Sequence, residues 1–286
     1  MTEPSASPAR VLHVGPIPPP TDGGIAAYLE GLLASPLSEH YKLTTFDVRV
    51  PESSRRHRLL RWGTSFRFLN RFERQLRRAP VDLAHIHTSA HLGFWEKSLM
   101  ARVATRAQTT YVLHMHGGDF DTFMLRLPGW QRRLAGSVLS RAGGVVVLSE
   151  AWKPLFAPWV EPQRLHVVPN AITLPHLSRR IARQQGPVRI LFVGMMSARK
   201  GLDELRQALA KLLQADVRNF HVDLLGGEEF FGEAIRYRKS FRQQGLDDWV
   251  TFHGLKLGED REAFLKQADL FEQTNKLVDK LYDKLF

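Results

Sequence analysis

The chain has 286 residues, 43% of them hydrophobic and none of them cysteine, and carries a net charge of +11 with a pI near 10.2. That size and hydrophobic content fill one large or two ordinary globular domains, and the missing cysteines exclude a disulfide framework, a thiolate metal site and a cysteine nucleophile. The positive balance asks for an anionic partner, and since no recognised nucleic-acid module accompanies it, nucleic acid is not the expected one.

Residues 1–9 read as a disordered lead. The opening MTEPSASPAR lacks the charged and apolar regions of a signal peptide and no run of about 18 apolar residues follows, so a cytoplasmic location is expected. The first structured stretch, RVLHVGPIPPPTDGGIAAYLEGLL, reads as strand, turn and helix, the start of a mononucleotide-binding α/β unit. Gly23 and Gly24 precede the helix and would let backbone amides approach a phosphate at its positive end; a plain turn pair is the alternative.

Between Arg55 and Arg78 nine arginines stand against one acid, Glu73. Leu59, Trp62, Phe66, Leu69, Phe72 and Leu76 recur there at helical spacing. A basic amphipathic helix of this kind either lies on an anionic membrane, with Arg55, Arg56, Arg58, Arg61, Trp62 and Phe66 facing it, or packs its apolar stripe on the core and solvates its arginines.

Further short apolar runs follow, each of the length of a buried parallel strand. VDLAHIH and TTYVLHMHGGDF place His85, His87, His114 and His116 in His-x-His pairs on one side of each strand, with His91 nearby. Such pairs can hold a metal, which keeps a metal-dependent hydrolase in view. Strand ends of open α/β sheets also bind ligands without one, and His85 and His114 are expected to be packed. No metal is expected, because no consistent ligand set is apparent. After GGVVVLS and RLHVVPNAI, residues 173–187 read as a linker. VRILFVGMMSARKGLDELRQALAKLL then repeats the strand-turn-helix start, with Arg199 and Lys200 in the turn where a diphosphate leaving group would need charge. FHVDLLGG and WVTFHG are further strands. Residues 272–286 switch from arginine to lysine and form an amphipathic terminal helix, native or foreign.

Taken in order, GGI, HGGDF, GGVVVLS, VVPNAI, FVG with RKG, LLGG, and VTFHG before KQADLF resemble glycosyltransferase family 4 from about Arg10 to Phe271. The resemblance implies an α/β GT-B fold of two Rossmann-like, doubly wound parallel-sheet domains: an acceptor-side domain at 10–172 and a donor-binding domain at 188–271. Family members continue past ADLF into an acidic two-glutamate motif and closing helices, so the second domain is expected to be incomplete. The implied activity is retaining transfer of a sugar from a nucleotide-sugar donor to a glycan or lipid-linked acceptor, in cell-surface or exopolysaccharide synthesis. It requires no cofactor or metal and sits in the cytoplasm or peripherally on the inner membrane face. His116 would orient the donor sugar as the catalytic residue, and Gly23, Gly24, Arg199 and Lys200 would hold the donor diphosphate. Met195 stands where the family more often has a phosphate arginine, a loss on the order of 2 kcal/mol if nothing replaces it. The alternative is an inactive remnant or nucleotide-binding module.

Overall fold

The computed structural model describes residues 7–19, 23–49, 58–117, 119–170, 186–228 and 232–272; of residues 58–66, 199 and 272 it describes the backbone alone. The chain forms two compact units, Met1–Leu174 and Pro175–Phe286.

The first unit runs β1 (Arg10–Gly15), α1 (Gly24–Leu33), α2 (Leu37–His40), β2 (Lys42–Asp47), α3 (Arg58–Arg78), β3 (Leu83–Thr88), α4 (Leu92–Arg106), β4 (Thr110–Met115), α5 (Phe120–Arg126), α6 (Gly129–Ser140), β5 (Gly144–Val147), α7 (Lys153–Phe156) and β6 (Leu165–Val167). Its strands form one parallel sheet in the order β2-β1-β3-β4-β5-β6. The chain moves from β1 to one side and then returns past it to β3, so the strand order reverses between β1 and β3. That is the point where open sheets of this kind leave a crevice at the strand C-terminal ends.

The two faces of this sheet differ. Leu12, Val14, Ala84, Ile86, Leu113 and Met115 join one core with Phe72 and Leu76 of α3 and Phe94, Met100, Ala101 and Ala104 of α4. The residues that alternate with them along β1, β3 and β4 point to the other face, and there the sequence supplies histidines. α1 covers them, with Tyr28 against the rings and Leu29 fully buried.

Over the C-terminal half of the arginine-rich α3 the apolar stripe packs on the core. Phe72 and Leu76 are buried and Phe68 and Leu69 pack against the same core, while Arg67, Arg71, Arg74, Arg77 and Arg78 are all exposed. That half is a core-facing helix with a solvated basic side. Arg55 and Arg56 lie outside the described residues, and of Arg58, Arg61, Trp62 and Phe66 only the backbone is described.

The second unit runs β7 (Val188–Val193), a short 3-10 turn at Ala198–Lys200, α8 (Leu202–Gln214), β8 (Phe220–Leu225), α9 (Glu233–Arg242), β9 (Val250–Gly254), α10 (Gly258–Gln267) and β10 (Leu270–Glu272). Its sheet is also parallel, in the order β10-β7-β8-β9. Leu202, Leu205, Leu209 and Leu212 form the buried stripe of α8 at the three- and four-residue spacing that keeps side chains on one helix face. They pack on Ile190, Phe192, Val222 and Leu224. Glu272 therefore ends a strand, and the proposed terminal helix beyond it lies outside the described residues, as do 171–185 of the linker region.

Candidate functional site

In the first unit the candidate site is built at the ends of β1, β3 and β4. Gly15 ends β1, and a Cβ there would stand 2.7 Å from the tip of the Leu29 side chain of α1, which would have to shift. The following loop is tied down by Asp47. Its carboxylate accepts from the Ile17 amide and pairs with Arg49 at 2.7 Å, and Arg49 donates to the carbonyl of Pro19. Burial alone would raise the Asp47 pKa; the Arg49 guanidinium and the amides of Arg49 and Ile17 overcome it and hold the carboxyl below its usual range. Gly23, extended rather than left-handed, is the residue before α1, and a Cβ on Gly23 or Gly24 would meet nothing within 4 Å. No side chain caps that helix and no acid occupies its first turn. Its leading amides and positive dipole end are thus uncommitted within the described residues, which suits an anion.

Five histidines lie together beside this point. The parallel register sets His13 level with His85 and His87 level with His114, and His116 follows β4 directly. His13, His87, His114 and His116 are at most 4% exposed and His85 is half-buried. Ring nitrogens contact in three places: His13 Nδ1 with His87 Nε2 at 3.3 Å, His87 Nδ1 with His116 Nε2 at 3.0 Å, and His85 Nε2 with His114 Nδ1 at 3.3 Å. The other nitrogens of His13 and His114, both Nε2, are buried without a hydrogen-bond partner among the described residues. Desolvation holds all five rings neutral. It lowers His13 and His116 to about 4, His85 to about 3 and His114 to about 2, and takes His87 well below 6.5, with mutual repulsion adding to the effect for His85, His87 and His114. His91 stands apart, with its ring against Phe123.

In the second unit the site is the turn after β7. Gly194 and Gly226 lie so close that a Cβ on Gly226 would collide with the Gly194 carbonyl. Only glycine fits there. Gly201, left-handed at φ 77, turns the chain into α8. The stem of Lys200 passes Gly194, 3.8 Å from where a Cβ would stand, and among the described residues no acid pairs with its ammonium. Ser197 is buried beside this turn with its hydroxyl unpartnered among the described residues. The end of α8 is less available than that of α1, because Asp203 and Glu204 already sit in its first turn and offset its dipole. Among the described side chains of this turn, Lys200 is the cation. Of Arg199 only the backbone is described.

A glycosyl transferase 4-like domain is matched by residues 19–171, more than half of the chain. The chain belongs to the glycosyl transferase 4-like family. Among curated members it is 30% identical over 162 residues to the GDP-mannose:cellobiosyl-diphosphopolyprenol alpha-mannosyltransferase of Xanthomonas campestris, over 56% of this chain and 42% of the relative. The corresponding enzyme of Xanthomonas oryzae is 29% identical over 164 residues. The chain spans less than half the length of these curated relatives. Among solved structures it is similar to Anabaena HepE in complex with UDP and glucose, at 17% identity and TM-score 0.59, covering 92% of this chain and 73% of that one. A UDP-forming alpha,alpha-trehalose-phosphate synthase from Burkholderia vietnamiensis shares 10% identity at TM-score 0.64, covering 92% and 77%. These likenesses carry the GT-B fold.

Within this glycosyl transferase 4-like chain the structure adds three residues that the sequence alone does not single out. His13 and Tyr28 join the histidine face, and Ser197 joins the Lys200 turn. His13 is hidden inside the strand run RVLHVG, and only the β1-β3 pairing brings it to His85 and His87. Ser197 carries the weak signal of a hydroxyl three residues before a lysine. The expectation that the histidines lack a consistent ligand set is corrected: His13, His85 and His87, and also His87, His114 and His116, bring one nitrogen each within 4.8 Å of one another. Among the described residues no helix is long and apolar enough to cross a membrane.

Proposed function

We propose that the chain takes part in retaining transfer of a sugar from a nucleotide-sugar donor to a glycan or lipid-linked acceptor, with Lys200 at the donor diphosphate and His116 at the donor sugar. The observation that carries this reading is Lys200, whose ammonium has no acidic partner among the described residues and whose stem lies against Gly194 at the end of β7, in a chain of this family. As the bond to the sugar breaks, negative charge grows on the diphosphate, and a fixed ammonium there favours the transition state over the bound donor. His116 lies 3.0 Å from His87 and is neutral at pH 7, so it can hydrogen-bond a sugar hydroxyl without bringing charge. Gly23 and Gly24 leave the amides of α1 open to phosphate. The Xanthomonas relatives use GDP-mannose and a diphosphopolyprenol-linked acceptor by name, which makes those the first donor and acceptor to try.

Calorimetry with GDP and UDP tests the phosphate assignment. Lys200→Ala is expected to weaken nucleoside diphosphate binding about tenfold or more, the loss of one charge-assisted contact, with an unchanged melting temperature. Binding indifferent to that substitution rejects Lys200. The second reading, a nucleotide-binding module without turnover, is favoured by Met195 in place of a phosphate arginine. Diphosphate binding with no transfer from GDP-mannose or UDP-glucose to any lipid-linked acceptor supports it.

A further inference from the structure

The histidine face exceeds what sugar binding asks for. One histidine at the end of β4 is enough to meet a donor hydroxyl, yet four more line the buried face behind it. Parallel strands covered by helices ordinarily fill such positions with Val, Ile or Leu. Neutral imidazoles are a poor substitute, because each carries one N–H and one bare nitrogen, and the three ring contacts leave both His13 Nε2 and His114 Nε2 buried and unsatisfied. Among the described residues no carboxylate or backbone carbonyl supplies those partners.

We propose that His13, His85 and His87 bind one divalent transition-metal ion of the zinc class, with His114 and His116 supporting two of the ligands from behind. The three residues come from neighbouring strands β1 and β3, whose pairing sets His13 level with His85 and leaves His87 two residues further along the same side. Their nitrogens fall within 4.8 Å of one another. The 3.3 Å between His13 Nδ1 and His87 Nε2 matches the edge of a tetrahedron of nitrogens about 2.0–2.1 Å from a central zinc, so His13 ligates through Nδ1 and its orphan Nε2, like that of His114, stays outside the coordination sphere. An all-imidazole donor set suits zinc, copper and nickel over calcium or magnesium. Metal-bound histidines usually engage their second ring nitrogen in a hydrogen bond that fixes the tautomer. Two of these do so: His87 Nδ1 meets His116 at 3.0 Å and His85 Nε2 meets His114 at 3.3 Å. With a metal on His87 Nε2, its Nδ1 must carry the proton, and His116 must accept it through Nε2. His116 is then left with its own N–H on Nδ1. Three protein nitrogens leave a fourth tetrahedral position for water, and the ion joins β1 to β3 under α1 and sets the tautomer of His116. The set His87, His114 and His116 meets the same distance limit but would consume His116, which follows β4 directly, beside Gly117.

The test uses the full chain without a histidine tag, stripped with a chelator and titrated with Co2+ under visible absorption and with Zn2+ by calorimetry. One equivalent is expected, with the intense visible bands of tetrahedral cobalt, and Zn2+ is expected to raise the Tm. His13→Leu and His87→Gln should each weaken binding about a thousandfold or more and abolish the Tm rise, whereas His116→Gln should cost about tenfold. Circular dichroism shows whether each variant is folded; should His13→Leu not fold, His85→Gln takes its place. Absence of stoichiometric cobalt or zinc binding by the wild-type chain overturns the site. So does binding that survives His13→Leu or His85→Gln, and so does binding that His116→Gln removes as completely as His87→Gln. None of these readouts depends on sugar transfer, so the metal site and the donor assignment stand or fall separately.

Discussion

Asp223 lies almost buried in the middle of β8, where its carboxylate accepts from Arg189 at 2.8 Å and from His253 at 2.8 Å. Burial by itself would raise its pKa. The hydrogen bonds from Arg189 and His253, with the charge of Arg189, outweigh that and bring the carboxyl below its ordinary 3.8. A carboxyl more acidic in the folded than the unfolded chain adds stability that is complete above pH 3.8 and fades as pH falls through the lower folded value. Asp223→Asn should therefore lower the melting temperature at pH 7 and flatten its fall below about pH 4, measured by thermal denaturation from acid to neutral pH. A variant that loses the same stability at every pH would show that packing, not charge, is what Asp223 supplies. None of this is visible in FHVDLL, because the partners come from β7 and β9 and only the sheet order joins them. The histidines show the same limit. Strand alternation correctly puts His85 with His87 and His114 with His116, but alternation does not say which strands are neighbours, and so it leaves His13 out.

At the scale of elements, chain-order motifs locate β1, β3 to β9 and the helices after β1 and β7, since each strand is an apolar run with glycine or proline at one end. The edge strands β2, KLTTFD, and β10, LFE, carry no such signal. Each has one strand neighbour, and only Phe46 of β2 is buried, so neither needs the continuous apolar run that marks a central strand. The helix α3 shows how one pattern serves two readings. Its apolar period is real, but Phe72 and Leu76 spend it on the core. Phe72→Ala should destabilise the protein by about 3–5 kcal/mol, while Arg74→Gln with Arg78→Gln should change stability by less than about 0.5 kcal/mol, both read by urea denaturation. The same arginine pair should weaken binding to anionic vesicles by about tenfold at low salt and leave neutral vesicles unaffected. Equal vesicle binding by wild type and variant would reduce the exposed arginines to solvation.

For the whole molecule, the family is legible because motif order is a property of the chain and survives without any single specific motif. Roles of individual residues are less so: a phosphate lysine and a surface lysine look alike in RKG, and the sequence does not say that the stem of Lys200 lies along Gly194. The glycines that create this arrangement have a consequence for motion. The amides of Gly194, Met196 and Gly226 follow their strands as loop residues, yet they donate to Leu225, Gly227 and Gly254 at 2.9, 2.8 and 2.8 Å. Amide exchange in deuterated buffer should find them protected like the strand amides before them, and not open like a surface turn. Unprotected amides there would mean that the turn is ordered only by its ligand. For the donor site proposed above, a turn already closed in this way has its ordering done, so nucleotide association should proceed in a single kinetic step whose rate is set by encounter rather than by rearrangement.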